Sequence, residues 1–94
     1  GLDPTIDVEK TNLYGATPTF NYVNSGDYKM VFSQSLFTAT NFIPYSQVID
    51  ILGGIVAGTK YISGDTISLQ SGVISAALAD DLLITTYIEV SINL

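Results

Sequence analysis

The groups in this chain best suited to chemistry are hydroxyls and carboxylates, and most of the partners they would need are missing. A serine or threonine nucleophile requires a base to take its proton. The sequence has no histidine and no cysteine, so a lysine would have to serve, as in a Ser–Lys dyad. Lys10, Lys29 and Lys60 are the only lysines, and there is no arginine. Each lies in a strand or strand-end context that reads as a solvated face. Paired carboxylates, the apparatus of glycoside hydrolysis, are no better placed. Asp80 and Asp81 are adjacent, so they face opposite ways in an extended segment and diverge by about 100° in a helical turn. Glu89 points outward on the last strand, and Asp50 shares a different strand with Val48 and Leu52. No catalytic residue is assigned, and the chain is not expected to be an enzyme.

Metal and cofactor chemistry is restricted in the same way. Without histidine or cysteine only oxygen ligands remain, and calcium is the ion they suit. Asp3, Asp7 and Glu9 alternate near the start of the chain, with Asp80-Asp81 as a further source of oxygens. No D-x-[DN]-x-[DN]-G loop occurs, however, and no metal ligand is assigned. Gly53-Gly54 and Gly58 lack the lysine and spacing of a Walker loop, and there is no Gly-x-Gly-x-x-Gly. These glycines read as bends in strands, and no cofactor is expected.

Recognition is a better prospect than catalysis. Eight of the ten aromatic residues fall between Tyr14 and Tyr45. The phenylalanines read as core. The tyrosines are interleaved with asparagines, and Tyr combines apolar area with a polar tip at low entropy cost. Tyr14, Tyr22, Asn24, Tyr28 and Tyr45 are therefore the candidate binding residues, for a glycan or a protein. Aromatic residues also favour strands for packing reasons alone, and the absence of tryptophan weakens the carbohydrate version.

The elements that must position these residues are strands. Period-two alternation is clearest at the C-terminus, where Ile84, Thr86, Ile88, Val90, Ile92 and Leu94 share one face. Thr85, Tyr87, Glu89, Ser91 and Asn93 share the other, as in an antiparallel strand with one wet face. This strand is expected to lie centrally. A hairpin joins Thr19-Phe20-Asn21-Tyr22-Val23 to Tyr28-Lys29-Met30-Val31-Phe32 through Asn24-Ser25-Gly26-Asp27. A second joins Lys60-Tyr61-Ile62-Ser63 to Thr66-Ile67-Ser68-Leu69 through Gly64-Asp65, where glycine at the first loop position suits a type II′ turn. Residues 47–52 predict a further strand ended by Gly53-Gly54, which Ile55-Val56 continues as a bulge or bend. Weaker strands are expected at 38–43, stopped by Pro44, and at 5–9 on an edge. Residues 74–82 predict one short helical turn with Ile74, Leu78 and Leu82 at four-residue spacing; the competing reading is a loop turning at Asp80-Asp81. The fold class is all-β: a compact antiparallel β-sandwich or flattened barrel of six to eight short strands, forming a single domain over 1–94.

Composition narrows the setting. Charged residues are only 13 % of the 94, and the balance is −6, where an average soluble domain carries charge on roughly a quarter of its residues. Such a chain repels a phosphate backbone and has no basic patch to overcome that, so nucleic acid is excluded as a partner. Anionic membranes fail on the same ground. The longest apolar run, from Ile51 to Gly58, is far short of the roughly 20 residues that span a bilayer. The opening Gly1-Leu2-Asp3-Pro4 lacks an initiator methionine and reads as a processed product, an excised domain or a tag remnant.

The C-terminal third resembles a known type of domain. Gly58-Thr59-Lys60-Tyr61-Ile62 through Thr66-Ile67-Ser68-Leu69 is followed by Leu78-Ala79-Asp80-Asp81-Leu82-Leu83-Ile84 and then Thr86-Tyr87-Ile88-Glu89-Val90. Together these are similar to the end of the small C-terminal β-domains of phage tail-fibre and appendage proteins, over about 35 residues. The chain departs from them at Ser91-Ile92-Asn93-Leu94, where they carry a basic residue and an aromatic. The resemblance implies a virion appendage domain, usually trimeric, that adheres to a host surface or caps a fibre, and it transfers no catalytic residue.

Small domains supplement a thin core with disulfides, metals or self-association, and the first is impossible here. A homo-oligomer is therefore expected, a trimer above other orders, with apolar residues of 48–56 at the contact. The expected role is a non-enzymatic virion or surface structural and adhesion domain, located on a virion or outside the cell. The alternative is a secreted carbohydrate- or protein-binding module from a larger extracellular protein. The alternation of the last strand makes a direct prediction. Ile88→Ala should cost on the order of 2–4 kcal/mol and Glu89→Ala under about 0.5. Equal losses in denaturant titrations would mean that the two faces are assigned the wrong way round.

Overall fold

Two hairpins supply most of the molecule, each forming where strand-favouring residues flank a pair of turn formers. In the first, β1 (Pro18–Asn24) and β2 (Asp27–Phe32) are joined by Ser25-Gly26. The short β3 (Phe42–Ile43) and β4 (Ser46–Asp50) follow. In the second hairpin, β5 (Ile55–Ser63) and β6 (Thr66–Val73) are joined by Gly64-Asp65, and β7 (Ser91–Ile92) ends the series. The computed structural model describes residues 15–16, 18–74, 78–79, 82–83 and 87–93. The edge strand expected at 5–9, Tyr14 and the carboxylates Asp3, Asp7, Glu9, Asp80 and Asp81 lie outside the described residues.

The described strands form two antiparallel sheets, one of five strands in the order β1-β2-β6-β5-β4 and one of two, β3-β7. Register decides the layering. Phe20 pairs with Met30, Met30 with Ile67 and Ile67 with Tyr61, which lays an apolar row across four strands on one face. Phe37 and Phe42 cover this row, with Leu36, Ile88, Val90 and Ile92 packed around them. Phe37 meets Phe32 and Phe42 edge-on at centroid distances of 5.2 and 5.5 Å, an arrangement that aromatic quadrupoles favour. Ile67, with no exposed surface at all, is the centre of this core. The opposite face is polar: in the same register Asn21, Lys29, Ser68 and Lys60 form a row. The result is a small all-β fold of two layers, as expected of a sandwich or flattened barrel.

The core layer is held down by backbone bonds to the β5–β6 turn. Leu36 N and Phe37 N both donate to Gly64 O at 2.8 Å, and Phe32 N donates to Asp65 O at 2.8 Å. Gly64 is closely approached by one side-chain atom. A Cβ at this position would overlap Ser35 Oγ, and its φ is not among the positive ones. The expected type II′ turn, which needs a positive φ at that residue, is thus corrected.

Other expectations change in the same way. Residues 88–92 do bury Ile88, Val90 and Ile92 while Tyr87 and Glu89 stay exposed. Only Ser91–Ile92 joins a ladder, however, pairing with Phe42–Ile43. The central strand is β6 instead. Alternation reports which face is buried and is silent on how many strands lie alongside. Residues 38–41 are a turn rather than strand: Asn41 Oδ1 accepts from Thr38 N at 2.6 Å and Thr38 Oγ1 accepts from Asn41 N at 3.0 Å. Residues 51–54 turn the chain back, so β4 stops at Asp50 and Ile55-Val56 begin the returning strand. None of the described residues in 74–82 is helical; Leu78 instead bridges Gly72. Ala79 N donates to Ser71 O at 3.1 Å, which ties Leu78-Ala79 to β6.

Gly26 marks the tightest point of this framework. Its φ is +66°, its carbonyl accepts from Ser71 N at 2.8 Å, and a Cβ there would lie 2.6 Å from Ala79 N and 2.7 Å from Ala79 O. Gly15 has nearly the same φ, +64°, with nothing within 4 Å. Gly15→Ala should therefore cost only the left-handed penalty of about 1–2 kcal/mol. Gly26→Ala should cost about 2 kcal/mol more than that, because the surrounding backbone has to shift as well. Equal losses in urea unfolding would remove the packing role assigned to Gly26.

Candidate functional site

Of the tyrosine and asparagine residues singled out in the sequence, those described do not meet in one place. Tyr22 and Tyr28 are cross-strand partners with ring centroids 5.8 Å apart, and Tyr28 is only 4 % exposed. Burial removes Tyr28 as a ligand-reading residue: its ring packs on the core side, between Tyr22 and Leu69 of the neighbouring strands. Tyr22 is half-buried and Asn24 is exposed beside the β1–β2 turn. Tyr45 precedes β4, at the opposite edge of the five-stranded sheet. Four strand spacings of about 4.8 Å separate the two edges, too far for Tyr22 and Tyr45 to share a small ligand.

Tyr45 has a different neighbour, Tyr87, at a centroid distance of 6.2 Å. Gln47 Nε2 donates to Tyr87 O, and Tyr87 Oη donates to Glu89 Oε1 at 3.5 Å. The Gln47 amide and the Tyr87 hydroxyl are therefore engaged within this small cluster, and the exposed Tyr87 ring is its outward surface.

The polar face of the sheet holds the closest approach to a catalytic constellation. Lys29 and Lys60 flank Ser68 on either side. Ser68 Oγ donates to Asp27 Oδ1 at 2.7 Å, and Gln70 Nε2 reaches the same oxygen at 3.5 Å. A nucleophilic serine would have to give its proton to a lysine amine. Here the proton is committed to a carboxylate, and Ser68 is buried beneath its neighbours. The arrangement satisfies a buried hydroxyl, and among the described residues no buried side-chain polar atom lacks a partner. No group of three potential metal ligands occurs among the described residues.

The largest departure from an ordinary surface lies at the β4–β5 turn. Ile51 is 84 % and Leu52 97 % exposed, and Val48, Ile74 and Leu78 are exposed nearby. At about 100 Å² for a fully exposed aliphatic side chain, these five present on the order of 350 Å², within the size range at which an apolar patch is often a working surface. The turn that carries Ile51 and Leu52 is held by hydrogen bonds. Asp50 Oδ1 accepts from Leu52 N at 3.1 Å and Gly53 N at 3.2 Å, and Gly54 O accepts from Ile74 N at 2.9 Å. Gly54 supplies the positive φ, +65°, that closes the turn.

Beside this tip the polar face sinks into an open hollow of roughly 390 Å³. Gly58 and Gly72 form its floor, and Ser46, Val56, Ile74 and Leu78 rise around it. The floor exists because Val56 and Gly72 are cross-strand partners, as are Gly58 and Ser46. A Cβ at Gly58 would come within 3.2 Å of Tyr45 O. No described lining residue is charged. Sequence reasoning flagged 48–56 as a contact but missed Ile74 and Leu78, which it read as one side of a helical turn. It also missed that Gly58 and Gly72 share a face, which only the pairing of β5 with β6 reveals.

Comparison with family models, curated proteins and solved structures returns no match. The site makes its own prediction. Leu52→Asp should change monomer stability by less than about 0.5 kcal/mol, because the side chain touches nothing that folding requires. Asp50→Ala should cost about 1 kcal/mol through the lost turn bonds. Urea melts at high dilution compare the two, and the reverse ranking would mean that the tip is a folding element.

Proposed function

We propose that this chain is a non-enzymatic interaction domain that works by presenting its apolar end to a protein surface. In its fuller form the reading is a virion or surface structural and adhesion domain of phage-appendage type, acting outside the cell as a homo-oligomer, with a trimer favoured. One observation carries it: two almost fully exposed aliphatic side chains, Ile51 and Leu52, on a turn braced by Asp50 and Ile74. An exposed apolar tip is costly to keep in water, and a turn already held by hydrogen bonds has less entropy to lose on binding. The resemblance of the C-terminal third to appendage domains supports the fuller form.

A second reading, a carbohydrate- or protein-binding module, is favoured by the Tyr45–Tyr87 pair, because the exposed Tyr87 ring offers a flat apolar surface of the kind that stacks on a sugar. It ranks below the first because Gln47 and the Tyr87 hydroxyl are already engaged and supply little orienting capacity.

Sedimentation velocity separates the two. At micromolar concentration the chain should sediment as a species heavier than its 10.0 kDa. Association should strengthen with salt as the carboxylates are screened, and Leu52→Asp should restore the monomer. A 10.0 kDa species that ignores concentration and salt, together with glycan binding lost in Tyr87→Ala, would replace the first reading by the second.

A further inference from the structure

We infer that the apolar tip and the glycine-floored hollow are complementary halves of one contact: the Ile51-Leu52 tip of one copy seats in the Gly58–Gly72 hollow of another. The inference rests on the contact role proposed above and names both the partner and the seat. Tip and hollow belong to the same end of the molecule, since Ile74 lines the hollow and its N–H donates to Gly54 O in the turn that carries the tip.

Volume fits this occupant. A dry enclosed cavity of about 150 Å³ holds one benzene, so an open hollow of roughly 390 Å³ has room for the end of an aliphatic side chain such as Leu52. The chemistry fits as well. A small-molecule site needs a few placed polar groups to orient its ligand. Here Ser71 Oγ is bonded to Ala79 O at 3.3 Å, Thr59 Oγ1 to Tyr45 N at 2.9 Å and Gln70 Nε2 to Asp27 Oδ1 at 3.5 Å. Ser46 is the one further polar side chain of the described lining, and no described lining residue is charged. An apolar knob asks for no such groups.

Charge favours a second copy at this position over others. Two molecules of net charge −6 repel, and they approach best through a region lined by uncharged residues. Asp50 is the carboxylate nearest the tip in sequence, and one of its oxygens is turned onto the N–H groups of Leu52 and Gly53. Because knob and hole sit on the same chain, each copy both inserts and receives. Such contacts give a two-fold pair, a closed ring or, where the rotation does not close, an open filament. Covering the tip and the hollow buries several hundred Å² per copy, less than the roughly 800 Å² of a standard stable interface. The assembly should therefore be weak and concentration-dependent.

The absence of cysteine makes the test clean. Leu52→Cys and Ser46→Cys chains, one carrying a mass tag, are mixed under mild oxidation. The mixed disulfide should form at least tenfold faster than between Leu52→Cys and Lys29→Cys, whose cysteine lies on the same face but outside the hollow. In sedimentation, Ser46→Trp, which fills the hollow from an exposed position, should weaken association at least tenfold, as Leu52→Asp does. Equal cross-linking rates, or association that Leu52→Asp abolishes and Ser46→Trp leaves intact, would overturn the seat while leaving the contact role standing. A monomer at every concentration would overturn both. So would a monomer that floats with phosphatidylcholine vesicles through Leu52, which would make the tip a lipid-inserting element.

Discussion

Strand β6 lies between β2 and β5, paired to both along most of its length, and the rest of the molecule is arranged around that ladder. Ile67 and Leu69 on one side of it are fully buried, and Ser68 and Thr66 on the other are covered by the side chains of the flanking strands. Burial on both faces is usual for a strand enclosed between layers. Here one layer is built of protein core and the other of lysine, glutamine and carboxylate side chains lying over short hydroxyl residues. Long polar side chains can cover neighbouring surface while keeping their charged ends in water, which accounts for a buried serine on an otherwise solvated face.

Everything on the core side follows from covering one apolar row. A single sheet cannot bury its own face, so a second layer has to be found. This short chain builds it from the loop at 33–41, the β3–β7 ribbon and the segment 88–92. The two backbone bonds into Gly64 O anchor that layer to the sheet. That cover serves one face only, and on the other, polar face the far end of β4 and β5 carries apolar side chains of its own. The cover packs over Met30, Ile67 and Tyr61, and Val48, Ile51, Leu52, Ile74 and Leu78 remain exposed at the other end. The apolar end thus lies outside what the core-side layer covers, and it becomes useful if a second molecule covers it.

Part of this was legible in the sequence because it depends on neighbours along the chain. Both hairpins form where turn residues interrupt alternating segments. Tyr28, Met30 and Phe32 share a face, as do Ile88, Val90 and Ile92, because a strand's side chains alternate whatever the strand pairs with. The all-β class followed from the same local rule. The candidate site was legible only in part. The stretch 48–56 stood out by its hydrophobicity, whereas Tyr28 carried no local sign that its ring would be enclosed.

What the sequence determined by itself was therefore the type of element, the positions of the main turns and the inward side of most strands. Each rests on backbone geometry within a few residues. Only the tertiary structure decided that β6 is central, that Tyr22 and Tyr45 stand at opposite edges, and that Ile74 and Leu78 flank a hollow rather than a helix. It also decided why Gly26 must be glycine: the atoms that exclude a side chain there are backbone atoms of Ser71 and Ala79, brought close by strand pairing and loop packing. Long-range pairing is a choice among many registers of similar local merit. It is settled by the apolar area buried once Phe20, Met30, Ile67 and Tyr61 align, and that sum belongs to the assembled sheet.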